Sequence, residues 1–136
     1  MGEEMTTAER TARRQRLVAV NQLIVTISEC GRRFFRHKRA IASMEMDQRG
    51  KLWWHDEYSK ARIYMHRPWL HHGFNHGGGL NEFARALRDY VMTGEQLGPW
   101  GKYWGYPDED MAKVLTRARE LGILKPETAN QPQGNP

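Results

Sequence analysis

The chain has 136 residues, 39% of them hydrophobic, with five Trp, five Tyr and four Phe. That suffices for one small core and excludes a chain disordered throughout. No apolar run reaches the length of a membrane span, and the single cysteine, Cys30, excludes an internal disulfide framework.

In chain order, residues 1–7 are expected to be a disordered N-terminus. Their acidic, polar character does not fit a secretory signal, and with the lone cysteine it points to a cytoplasmic setting. Leu17, Val20, Leu23, Ile24 and Ile27 recur at helical spacing, which predicts one long helix from Ala8 to Cys30, ended by Gly31. Arg10, Arg13, Arg14 and Arg16 make its exposed first turns basic. Phe34 and Phe35 either begin a short extra strand or pack the preceding turn. Ile41–Met46, Lys51–Tyr58 and Ala61–His66 then read as three antiparallel strands, the first two joined by the turn Asp47-Gln48-Arg49-Gly50.

Leu80–Val91 reads as an amphipathic helix with Leu80, Phe83, Ala84, Leu87, Tyr90 and Val91 inward, ended by Gly94. The aromatic loop from Gln96 to Tyr106 reads as a clasp closing the core, its rings offering a recognition patch as the alternative. Pro107 opens a last helix whose inward set is Met111, Val114, Leu115, Ala118 and Leu121, with Gly122 as its cap. Pro126 to Pro136 reads as a disordered polar tail. The expected architecture is a single α+β domain over residues 8–125: a long N-terminal helix, a three-stranded antiparallel meander and two C-terminal helices.

Charge is concentrated rather than spread. The formal net charge is +5, and from Gly31 to His66 there are nine Lys/Arg against four Asp/Glu. Arg32, Arg33, Arg36, Lys38 and Arg39 stand together with no acid among them. Such a cluster favours an anionic partner such as nucleic acid; its plainer reading is a solvated basic turn. Strand alternation places Met44, Met46, Leu52, Trp54, Ile63 and Met65 on one face, against the helices. The other face carries Ser43, Glu45, Trp53, His55, Glu57, Arg62, Tyr64 and His66. Aromatic and basic side chains on an open sheet suit base stacking and phosphate contact. They equally suit a protein hot spot, or a surface covered by the long helix or by a second subunit.

The loop from His66 to Gly79 holds His66, His71, His72 and His76 ahead of a triple glycine. Zinc accepts such ligands, but no cysteine lies nearby and no metal-site motif is present, so polar-loop hydrogen bonding is the expected role. An anion site before the helix would use His76, Gly77, Gly78 and Arg85; the competing reading is that the glycines only let the backbone turn. Cys30, at a helix C-terminus, is expected to be a packed residue rather than a nucleophile. His55 is expected to pair with Glu57 on its own strand face, with no third member for a catalytic set. No catalytic residue, metal or cofactor is therefore expected.

Gly31-Arg-Arg-Phe-Phe-Arg-His37, Asp56-Glu-Tyr-Ser59, Arg62-Ile-Tyr64 and Gly73-Phe-Asn-His-Gly-Gly78 resemble uncharacterised small proteins of bacterial phages and mobile elements, over the middle half of the chain. The resemblance implies a bacterial or phage cytoplasmic setting, and a role in regulating nucleic-acid transactions or blocking a host defence. The expected function is a non-enzymatic nucleic-acid-binding accessory protein. Arg32, Arg33, Arg36, Lys38, Arg39 and Arg62 would contact phosphate, Trp53 and Tyr64 would stack, and His55 and His66 would lie beside them. The alternatives are a protein-binding inhibitor or adaptor directed at a host defence nucleoprotein complex, and a His-dependent metal or hydrolytic site in the 66–76 loop.

Overall fold

A computed structural model describes residues 6–29, 36–37, 40–55, 62–66, 78–98 and 109–126. The expected disordered ends (residues 1–5 and 127–136), Cys30 and Gly31, Phe34 and Phe35, the 67–77 loop and the 99–108 clasp lie outside the described residues. The element order is α1 (Thr7–Glu29), β1 (Arg36–His37), β2 (Ala40–Ile41), β3 (Ser43–Met46), β4 (Leu52–His55), β5 (Arg62–Tyr64), α2 (Gly78–Thr93) and α3 (Glu109–Glu120). This is the α+β arrangement expected from the sequence.

α1 starts earlier than the sequence reading placed it. Thr6 accepts from the Glu9 amide through Oγ1 at 3.1 Å, and the Glu9 carboxylate accepts from the Thr6 amide at 3.0 Å. This reciprocal capping box orders Thr6 and Thr7, which the composition had assigned to a disordered tail. Val20, Leu23, Ile24 and Ile27 are fully buried, so the helix turns its apolar stripe onto the core. The arginines of its first half are tethers more than exposed charge. Arg10 donates to the Gln48 carbonyl at 2.9 Å and Arg13 to the Gly50 carbonyl at 3.4 Å, while Arg16 donates to the Val91 carbonyl at 2.9 Å. Of the four, Arg14 is the one left exposed.

β3, β4 and β5 form an antiparallel meander in that spatial order. The register aligns Glu45, Trp53 and Tyr64 in one row, and Ser43, His55 and Arg62 in the next. Asp47 sets the turn between β3 and β4: its carbonyl accepts from the Gly50 amide at 2.9 Å, and its Oδ1 accepts from the amides of Arg49 and Lys51 at 2.9 and 3.0 Å. Gly50 supplies the positive φ of 82° that closes it. The expected single strand Ile41–Met46 is broken at Ala42, which is buried between β2 and β3. β2 turns back to pair with β1 as a separate two-stranded ribbon. A short strand, β1 at Arg36–His37, does precede the meander.

One side of the meander is the core side: Met44, Leu52, Trp54, Ile63 and Met65 are buried with the α1 stripe, and Met46 is partly buried. Phe83, Ala84, Leu87, Tyr90 and Val91 from α2, with Met111, Val114 and Ala118 from α3, complete this core. α2 begins inside the triple glycine, two residues before the expected start, and ends where Gly94 takes a φ of 85°. The segments following α2 and α3 meet in a parallel bridge between Leu97 and Leu124, both buried. Gln96 reinforces the junction by donating to the Gly122 carbonyl at 3.1 Å. Among the described residues no helix is long and apolar enough to cross a membrane.

Candidate functional site

The face of the meander opposite the core carries the candidate site. α1 packs on the core side, so the reading in which that helix covers this face does not hold. Side-chain exposures of 45% for Arg62, 43% for Glu45 and 37% for His55 leave the surface open to solvent.

At its centre Trp53 lies against Tyr64, ring centroids 4.9 Å apart and planes tilted by 54°. Their opposition in the register brings these rings together, a pairing that itself stabilises the strand pair. The Arg62 guanidinium lies over Trp53, its Cζ 3.9 Å from the ring centroid, in cation–π geometry. From there it reaches across β4: its Nε and Nη2 stand 3.4 Å from Oε1 and Oε2 of Glu45 on β3. His55 approaches the same carboxylate, Nε2 to Oε1 at 2.5 Å. The His55 hydrogen bond, helped by Arg62, outweighs desolvation and holds Glu45 below its ordinary value of 4.5, so it is ionised at neutral pH.

Asp47 fixes the orientation of the central indole. Its Oδ2 accepts from Trp53 Nε1 at 2.9 Å while Oδ1 is spent on the turn amides. Desolvation pushes this carboxyl up. The bonds from Trp53, Lys51 and Arg49 push it down by more, leaving it below its ordinary value. A turn residue thus does double duty as the anchor of an aromatic side chain.

His66 ends the row beside Tyr64, ring centroids 5.4 Å apart. Its Nε2 accepts from the Leu52 backbone amide at 3.0 Å, so that nitrogen carries no proton and the ring is neutral. Desolvation and the charges of Lys51 and Arg88 lower it from 6.5 to about 4. A histidine that spends its lone pair on a backbone amide is a structural cap and a poor metal ligand. Among the described residues no group of three or more His, Cys, Asp or Glu side chains is placed to hold a metal; His71, His72 and His76 lie outside them.

The structure therefore brings Trp53, His55, Arg62, Tyr64 and His66 together as the strand alternation predicted. It gives His55 a different partner, Glu45 from the neighbouring strand, whereas Glu57 lies outside the described residues. Sequence reasoning placed Glu45 on this face without a role and overlooked Asp47. Asp at the head of a turn ending in Gly was the available signal for Asp47; the register, which no single strand reveals, was needed for Glu45. Of the basic cluster, Arg36 stands in β1, opposite Ile41, and Arg32, Arg33, Lys38 and Arg39 lie outside the described residues. Of the anion-site candidates, Gly78 opens α2 and Arg85 is half-buried on that helix, while His76 and Gly77 lie outside. A separate cleft of ≈ 390 Å³ lies between the start of α1 and the end of α2, lined by Ala8, Glu9, Ala12, Arg13, Arg16, Met92 and Thr93. Its two arginines are those already tethered to backbone carbonyls.

Comparison with known proteins adds descent. No solved structure matches the chain. The "SPbeta prophage-derived uncharacterized protein YoqU" of Bacillus subtilis (strain 168) is 26% identical to it over 122 residues, covering 87% of this chain and 88% of that protein. The expected kinship with phage proteins is thereby shown. With the YoqU family profile matching residues 11–132, from the second turn of α1 to beyond α3, the chain belongs to the YoqU family.

Proposed function

We propose that this YoqU-family chain is a cytoplasmic nucleic-acid-binding accessory protein that engages a single strand through the open face of its meander. The observation that carries the reading is the Arg62–Trp53–Tyr64 array, a guanidinium over an indole and a second ring beside it, on a solvent-open sheet. Such rings accept unstacked bases, and a duplex would not present its bases to them. The basic segment Arg32, Arg33, Arg36, Lys38 and Arg39 lies between α1 and β2 in the chain and supplies most of the local charge surplus. Phosphate contacts from it would provide affinity without sequence preference, with the rings providing selectivity for single strands.

The test is electrophoretic mobility shift with single- and double-stranded DNA and RNA across a salt series. A salt-sensitive shift favouring single strands, lost on charge reversal at Arg32, Arg33 and Arg36, is the expected result. No shift at any salt overturns the reading.

One observation favours a second reading. Glu45 and Asp47 share the face with Arg62, so its charge is mixed rather than uniformly positive. Paired charges around a Trp–Tyr centre are the composition of a protein hot spot. In that reading the chain is an inhibitor or adaptor for a host protein complex, and Trp53→Ala abolishes partner capture without unfolding the protein.

A further inference from the structure

Arg62 does something unusual for a surface arginine. It leaves β5, lays its guanidinium over Trp53 of β4, and ends with two N–H groups directed at the two oxygens of Glu45 on β3. A plane stacked on an indole and a fork of parallel donors on a carboxylate together describe the recognition of a particular chemical group. Guanine contains that group. Its N1–H and exocyclic amine flank C2 as a planar guanidine unit, with two parallel donors on the edge and an aromatic face for stacking. Adenine presents an acceptor at N1. Cytosine offers a single amine beside an acceptor. Uracil's N3–H sits between two carbonyls that a carboxylate repels. Of the common bases, guanine alone reproduces what Arg62 presents to Glu45.

We propose that Glu45, Trp53 and Tyr64 form a binding site for an unpaired guanine base, and that Arg62 fills this site in the free protein as an internal stand-in. The inference rests on the nucleic-acid reading above and adds its base specificity.

Three features suit exchange of Arg62 for guanine. The fork distances of 3.4 Å are longer than the 2.7–2.9 Å expected of a tight charge-assisted pair, so Arg62 is loosely held. Its side chain is 45% exposed, so solvent already reaches it. Once displaced, its cation is available to the phosphate of the incoming nucleotide, while His55 keeps Glu45 in place through its own hydrogen bond at 2.5 Å. Asp47 meanwhile holds the Trp53 indole through its Nε1–H, so the stacking surface stays fixed as the ligand on it changes. Tyr64, beside Trp53, is positioned to take the neighbouring base.

The test is fluorescence anisotropy with end-labelled seven-nucleotide RNAs: UUUGUUU, UUUAUUU, and the same strand with inosine at the centre. Inosine keeps N1–H and lacks the exocyclic amine, so it removes one tooth of the fork without altering the protein. The guanine strand should bind about tenfold more tightly than the adenine strand, the order expected of a bidentate base contact, with inosine between them. Glu45→Gln should erase the difference between guanine and adenine by weakening binding of the guanine strand. Equal binding of all three strands by the wild-type protein overturns the guanine site and leaves the nucleic-acid reading standing. Failure to bind any strand at low salt overturns that reading and this inference with it.

Discussion

The side-chain amide of Asn21 takes both backbone groups of Met44: its Nδ2 donates to the Met44 carbonyl at 3.0 Å, and its Oδ1 accepts from the Met44 amide at 2.8 Å. β3 is an edge of the meander, and an edge strand leaves backbone donors and acceptors unpaired. Asn21 satisfies one such pair from α1, so the long helix supplies what another strand would, and fixes the sheet's position along the helix. Replacing it with Leu keeps the volume but strands a partly buried N–H and C=O. Asn21→Leu should cost about 1–3 kcal/mol in urea unfolding. Asn21→Asp keeps the acceptor for the amide but sets a charge against the carbonyl, and should cost no less. A change of under about 0.5 kcal/mol for both would show that water replaces the contact.

Gly94 and Arg16 together close the C-terminal end of α2. The Gly94 amide donates to the Tyr90 carbonyl at 2.8 Å with a φ of 85°, and Arg16 caps the Val91 carbonyl. A Cβ added at Gly94 would meet the Arg16 guanidinium at 3.5 Å, an ordinary contact, so the cost of Gly94→Ala is conformational. It should be about 1 kcal/mol, with Gly94→Asn costing less. Gly98 is the internal control: its φ is not positive and a Cβ there meets nothing within 4 Å, so Gly98→Ala should be neutral or slightly stabilising. Equal effects at the two glycines would refute the assignment of Gly94 as a helix-ending residue held by backbone geometry.

His66 makes stability depend on pH in a defined window. Its folded value of about 4 lies below its ordinary 6.5, so between them the unfolded chain takes up the proton and the folded chain does not. The contribution is complete above about pH 6.5, falls as pH is lowered, and levels off below about pH 4. The full shift corresponds to at most about 3 kcal/mol, and solvent screening around a half-buried ring reduces it. Glu45 and Asp47 are depressed carboxylates, so their contributions disappear only at lower pH, below about 4.5. Urea midpoints at pH 7, 6, 5 and 4.5 should therefore decline in the wild-type protein and decline less in His66→Asn. Parallel curves for the two proteins would rule out His66 as the source.

Much of this frame is legible in the sequence, for a physical reason: burial enforces periodicity. The 3–4 spacing of Val20, Ile24 and Ile27 and the alternation of Met44, Leu52, Trp54 and Ile63 exist because those side chains must reach one core. The two faces of the meander were separable on that ground, and with them Trp53, His55, Arg62, Tyr64 and His66. What lies across strands was not. His55 shows its own-strand neighbour Glu57 in the sequence, while its partner Glu45 is fixed by a register that the Asp47–Gly50 turn sets. The tethering of Arg10, Arg13 and Arg16 was equally hidden, because a run of arginines reports charge and not the carbonyls it meets. The break at Ala42 carries no Gly or Pro to announce it. The capping box was readable: Thr6 followed by Glu9 is its T-x-x-E signature, outweighed by the polar composition around it.

Arg62 separates charge from shape, and the Lys variant is the informative one. Arg62→Lys keeps a cation on β5 but loses the planar fork that covers Trp53 and reaches both oxygens of Glu45. If the basic segment from Arg32 to Arg39 supplies the phosphate contacts, Arg62→Lys should leave the salt dependence of single-strand binding nearly unchanged, whereas charge reversal at Arg32 and Arg33 should flatten it. Trp53→Ala should lower affinity by about tenfold or more at every salt concentration with the same slope, because stacking does not depend on counterion release. Arg62→Lys in turn vacates the guanidine position over Trp53 and should bind the guanine strand as well as or better than wild type. Weaker binding of the guanine strand by Arg62→Lys at an unchanged salt slope would show that the guanidinium itself takes part in the complex, and Arg62 would then not be a stand-in for the base.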